Sequence, residues 1–247
     1  MDVASGEIVA MESMPSFDPQ RVSEYLDSDQ GELLNRALLP YSLGSIFKIV
    51  VATAAMEEGI CQPEGWEMEC TGSIPVGDVT IKCHKEEGHG VENMKEAFAG
   101  SCNPFFIQLG QKIGAEKLLY YAKKLGIGTG VELNGITFVE GGNLPEGKNM
   151  PPAGVANLSI GQGELSATPL EVCRLFASVA NGGILKHVNL LMGEVGEDGT
   201  LKNDERTTED IQVISKINTK NLQEMLRYVV TDGTGNKEGL KELQVAG

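Results

Sequence analysis

From Ile46 to Met56 every residue but Lys48 and Thr53 is apolar: Ile46, Phe47, Ile49, Val50, Val51, Ala52, Ala54, Ala55 and Met56. On a helix these side chains cover most of the circumference, so the helix belongs inside a core rather than on a surface. The run is too short for the roughly 20 apolar residues that span a bilayer. It holds one lysine, Lys48, three residues after Ser45. Residues i and i+3 share a helix face. Burial disfavours the charged form of a lysine. Ser45 would then have a base beside it and a helix N-terminus beneath it, as an activated serine nucleophile requires. The plain alternative is a helix cap followed by a lysine that snorkels to solvent.

A chain of 247 residues can bury a real core, as one large domain or a domain with an insertion. Its formal charge of −15, with no basic stripe or aromatic-basic patch, argues against a nucleic-acid partner. No signal peptide is evident. Residues 1–13 read as a β-hairpin around Ser5-Gly6, with Ile8-Val9-Ala10-Met11 as a strand. Gln244-Val245-Ala246-Gly247 reads as the opening of another strand. Both ends look cut from a longer polypeptide, with any anchor or targeting segment expected outside it.

Residues 14–42 are polar and irregular, and residues 60–90 carry short β-like runs around Pro75-Val76-Gly77-Asp78. A helical region is expected from Glu92 to Leu125, broken at Gly100 to Pro104 and near Gly114. Residues 126–165 are rich in Gly, Pro and Asn without clear periodicity. A stretch that long and irregular is usually functional. A helix over Thr168–Ala180 opens with Pro169 in its first turn. Strand-like segments follow near 184–195, then a helix over Thr219–Val230.

A second motif, Ser101-Cys102-Asn103, sits at the first helix break, before Pro104. Alone it reads as an ordinary capping turn. Paired with Ser45-x-x-Lys48 it resembles the S-x-x-K and S-D-N elements of the penicillin-recognising serine enzymes. Further segments occur in family order. Met1-Asp2-Val3-Ala4-Ser5-Gly6-Glu7-Ile8-Val9-Ala10-Met11 resembles the first hairpin of class B penicillin-binding proteins. Asn35-Arg36-Ala37 is similar to their approach to the nucleophile. Ser159-Ile160-Gly161-Gln162-Gly163, Thr168-Pro169-Leu170 and Ala180-Asn181-Gly182-Gly183 are similar to their later helical region. Val230-Thr231-Asp232-Gly233-Thr234-Gly235 resembles the segment before their third motif.

The resemblance implies an α/β (α+β) fold, an antiparallel sheet flanked by helices plus an all-helical subdomain. Residues 1–247 would be an incomplete transpeptidase domain, because the family places Lys-Thr-Gly directly after Val-Ala-Gly. The implied function is peptidoglycan D,D-transpeptidation through an acyl-serine, on stem peptides ending in D-Ala-D-Ala. Ser45 would be the nucleophile and its backbone N–H half of an oxyanion hole. Lys48, uncharged, would be the base. Ser101 would relay a proton to the leaving amine. Asn103 would orient Lys48 and bond the substrate amide. β-Lactams, as mimics of that substrate, would acylate Ser45. The implied place of action is the extracytoplasmic face of the bacterial cell membrane, among cell-wall synthesis partner proteins, without a cofactor for catalysis. Rivals are a β-lactam sensor domain, a serine β-lactamase with Glu132 as base, and a degenerate scaffold.

Cys70, Cys83, His89 and Cys102 fall between the two catalytic motifs at C-x12-C-x5-H-x12-C spacing. Three thiolates and an imidazole make a closed tetrahedral zinc set. Some elongation-type class B enzymes carry zinc in this interval, with mixed Asp, His and Cys ligands. A structural Zn2+ here would clamp the second catalytic motif. A Cys70–Cys83 disulfide and buried free thiols are the other readings. His84 is an alternative ligand to His89, and Cys61 and Cys173 read as core residues.

Overall fold

The computed structural model describes all residues except 134–136, 192, 204–209, 238, 241 and 244. The apolar run forms α1 (Lys48–Glu57), preceded by a 3-10 turn over Gly44–Phe47. Every residue of α1 from Lys48 to Met56 is buried. The helix thus begins at Lys48, with Ser45 on the tighter turn ahead of it and Ile46 turned outward.

The β-like region between 60 and 92 resolves into two nested antiparallel pairs. β1 (Met68–Cys70) pairs with β4 (Gly90–Glu92), while β2 (Ser73–Val76) and β3 (Val79–Lys82) form a hairpin between them. The helical region breaks at the expected points into α2 (Met94–Ala99), α3 (Asn103–Ile113) and α4 (Ala115–Lys124). Asn93 and Glu96 close a capping box on α2, and Gly114, at φ +85°, separates α3 from α4. The stretch from 126 to 165 holds more than its composition foretold: β5 (Val131–Leu133), β6 (Thr137–Val139) and α5 (Pro152–Ser159). α6 (Pro169–Ala180) has the predicted Pro169 start and a Thr168–Glu171 capping box. β7 (Ile184–Leu185), β8 (Gly193–Val195), β9 (Leu201–Asn203) and β10 (Ile211–Gln212) precede α7 (Lys216–Thr231), which starts earlier than expected.

The core gathers α1, α3, α4, α6 and α7, and α3 also packs along α5. The described strands are antiparallel, as expected of this mixed helix-and-strand fold, and pair as five two-stranded ribbons. The N-terminal hairpin is absent. Asp2 Oδ1 accepts from the Ala4 and Ser5 amides and the Ser5 hydroxyl, winding residues 2–6 into a local turn. Beyond it, Ile8 donates to Asn189 O and no strand forms over 8–11. Of the segment expected to open a strand at the other end, Gln244 lies outside the described residues, and 245–247 carry no strand. No helix among the described residues is long and apolar enough to cross a membrane.

Candidate active site

α2 ends in a Schellman arrangement. Cys102 N–H donates to Ala97 O and Ser101 N–H to Phe98 O. The left-handed residue of this motif is usually glycine. Here it is Ser101, at φ +51°. The unfavourable backbone turns both its carbonyl and its hydroxyl toward one amine. Lys48 Nζ donates to Ser101 O at 2.6 Å, and lies 2.9 Å from both Ser101 Oγ and Asn103 Oδ1. Ser101 Oγ is in turn hydrogen-bonded to Ser45 Oγ at 3.0 Å. Asn103 opens α3 ahead of Pro104, and its Nδ2 donates to Lys82 O on β3.

All four residues expected at the site are therefore brought together. The hydrogen bonds of Lys48 run to Ser101 and Asn103, and Ser101 stands between the amine and Ser45. Lys48 is 2% exposed, with its Nζ 5.7 Å from the Phe106 ring centroid. Burial pushes its pKa from 10.5 down to about 8, opposed by Cys102, Cys83 and Glu92. Phe106, three residues along α3 from Asn103, escaped the sequence reading. Its signal was the i, i+3 spacing from a motif residue. The cleft above these groups, about 190 Å3, is walled by Phe98, Phe176 and Leu226. Glu132 is exposed on β5 and is not among the residues lining this cleft.

Beneath the site, the donor atoms of Cys70, Cys83, His89 and Cys102 all lie within 4.8 Å of one another. Cys70 ends β1, Cys83 follows β3, His89 precedes β4 and Cys102 joins α2 to α3. The three thiols are buried and His89 is half-buried. Burial, then the neighbouring His84 and Lys85, pull the His89 pKa down, favouring the neutral imidazole a metal needs. Burial first and Glu92 second push the Cys102 thiol up, so a proton holds it until a cation displaces that proton. Glu92 Oε1 is itself buried without a hydrogen-bond partner. This donor set and its spacing fit a tetrahedral Zn2+. All five cysteines are free thiols, so the Cys70–Cys83 disulfide is not formed. His84 contacts Cys83 Sγ at 3.9 Å from outside the cluster. Cys61 is buried as expected, but Cys173 is exposed on α6, correcting its placement in the core.

Comparison with known proteins gives a concordant picture. The family model of the penicillin binding protein transpeptidase domain matches residues 1–247. Stage V sporulation protein D of Bacillus subtilis (strain 168) is 33% identical over the whole chain, which covers 38% of that protein. Peptidoglycan D,D-transpeptidase PbpA of Mycolicibacterium smegmatis is 29% identical over 80% of this chain and 43% of its own length. Among solved structures, a ceftriaxone acyl-enzyme complex of penicillin-binding protein A from M. tuberculosis superposes with a TM-score of 0.81. It is 26% identical, over 98% of this chain and 57% of that one. The chain thus spans about two-fifths of the length of the curated relatives it matches.

Proposed function

The chain belongs to the penicillin-binding protein transpeptidase family, and from that premise we propose that it is the acyl-transfer domain of a peptidoglycan D,D-transpeptidase. The observation that carries this reading is the Ser45–Ser101–Lys48–Asn103 network around a buried, low-pKa amine. Neutral Lys48 accepts the Ser101 proton while Ser101 Oγ accepts that of Ser45, so the base acts through the intervening hydroxyl. Ser45 Oγ attacks the penultimate D-alanine carbonyl of a stem peptide. The same relay, run backwards, returns a proton to the departing D-alanine amine. An amine of a second stem then takes the acyl group from Ser45. Asn103 Oδ1 holds Lys48 in place, and its Nδ2 faces a carbonyl, as it would a substrate amide. The Ser45 amide supplies one oxyanion donor, a contact worth roughly 3–4 kcal/mol in the transition state.

Cys70, Cys83, His89 and Cys102 would hold a structural Zn2+ whose contribution is to tie the Ser101-Cys102-Asn103 turn to β1 and β4. Catalysis needs no cofactor. β-Lactams acylate the same serine. The protein works on the outer side of the bacterial cell membrane, beside other cell-wall synthesis proteins.

The test is intact-protein mass spectrometry of the full-length protein carrying this chain, incubated with benzylpenicillin. One covalent adduct mapped to the Ser45 peptide, lost in Ser45→Ala, is the expected result. A label that persists in Ser45→Ala would refute the assignment.

A further inference from the structure

The segment Ser159-Ile160-Gly161 has no part in the chemistry described above, yet it touches both elements that carry that chemistry. Ser159 is the last residue of α5 and is fully buried. Its hydroxyl folds back onto Val155 O at 2.6 Å. This leaves a small, internally satisfied side chain against α3. A Cβ on Gly110 would lie 1.8 Å from Ser159 Oγ and 2.6 Å from Ser159 Cβ. The two helices therefore meet through a glycine on one side and a serine on the other. Ala156 and Ile160 share a buried apolar cluster with Ile107 of α3.

Two residues beyond Ser159 the chain meets the nucleophile turn. Gly161 has φ +72°, and a Cβ there would lie 1.9 Å from Gly44 O. Its carbonyl accepts from Gly44 N–H at 2.9 Å and lies 3.4 Å from Ser42 Oγ. Gly44 is the residue before Ser45 and opens the 3-10 turn. That turn is thus gripped at both ends, by α1 at Phe47 and Lys48 and by Gly161 at Gly44.

We propose that Ser159 and Gly161 are positioning residues, a strut from α3 to the Ser45 turn that sets the separation of the Ser45 and Ser101 hydroxyls. The proposal rests on the transpeptidase reading for its chemistry, but its geometry stands on these contacts alone. A methyl group on Gly161 must open its distance to Gly44 O by about 1.5 Å to reach normal contact. A shift of that size across a 3.0 Å hydroxyl pair costs on the order of a hundredfold in rate.

The test compares Gly161→Ala with Gly6→Ala in the full-length protein. Both glycines have positive φ, +72° and +79°, and their Cβ atoms would lie 1.9 and 2.0 Å from a backbone carbonyl oxygen. The backbone strain is matched, but Gly6 abuts His187, in a different part of the fold. Both variants should lose thermal stability, while acylation by a fluorescent penicillin slows about a hundredfold in Gly161→Ala only. Acylation by Gly161→Ala within threefold of wild type, or no slower than Gly6→Ala, overturns the proposal. A second pair covers the case in which Gly161→Ala does not fold. Gly110→Ala should slow acylation, and adding Ser159→Gly should restore most of it by making room for the methyl. Failure of that restoration overturns the strut. If the wild-type protein takes no penicillin at all, the transpeptidase reading fails instead. The strut is then judged by the Ser45 Oγ–Ser101 Oγ distance in a crystal structure of Gly110→Ala. Lengthening beyond hydrogen-bond reach supports it, and an unchanged distance overturns it.

Discussion

Ser101 shows how one side chain trades stability for position. It occupies the left-handed cap of α2, where an L-residue costs about 1 kcal/mol or more relative to glycine. The strain persists because this backbone aims the carbonyl and hydroxyl at Lys48. Ser101→Gly should therefore raise the melting temperature by a few degrees and slow β-lactam acylation at least about a hundredfold. Parallel calorimetry and acylation kinetics check this. A variant that is both less stable and fully active would contradict it. Sequence reading found Ser101 and Lys48 but paired the lysine directly with Ser45. The intervening position of Ser101 depends on a positive φ that serine does not announce.

At the scale of elements, what was legible followed from strong local rules. α1 was readable because its residues are apolar on all sides, and the breaks at Gly100 and Gly114 because glycine ends helices. α6 announced itself by Pro169 in its first turn. α5 was missed because Pro152–Ser159 is built from small residues with little periodicity. It is helical because α3 offers Gly110 and Ile107 to pack against, a tertiary reason invisible in the local string. The loop before α5 is held by a carboxylate that no motif marked. Glu171 is fully buried and accepts from the amides of Thr129, Gly130, Gly142 and Thr168. Glu171→Gln would turn an NH2 group toward these donors. We expect a loss of about 1–3 kcal/mol in urea unfolding, the cost of buried donors left unpaired. A loss below about 0.5 kcal/mol would contradict this account of the loop.

For the whole molecule, the four metal-type donors join segments that share no long element, so zinc would act as a cross-link under the site. Purified protein should carry about one zinc per chain by elemental analysis, and chelation should lower its melting temperature. Metal-free protein with an unchanged melting temperature on added zinc would contradict this. The α/β class was legible from motif order, but the ribbons of two to four residues were not, since their pairing is set by distant partners. The packing keeps the Lys48 amine out of water beside the Ser101 hydroxyl. Its pKa of about 8 lies below the usual lysine value, so the neutral form gains population as pH rises. The decisive measurement is the rate of β-lactam acylation of Ser45 between pH 6 and 10. The account predicts a rise of about tenfold from pH 7 to 9, levelling off above a midpoint near 8. A rate that is flat or falls across that interval would mean that Lys48 is not the base.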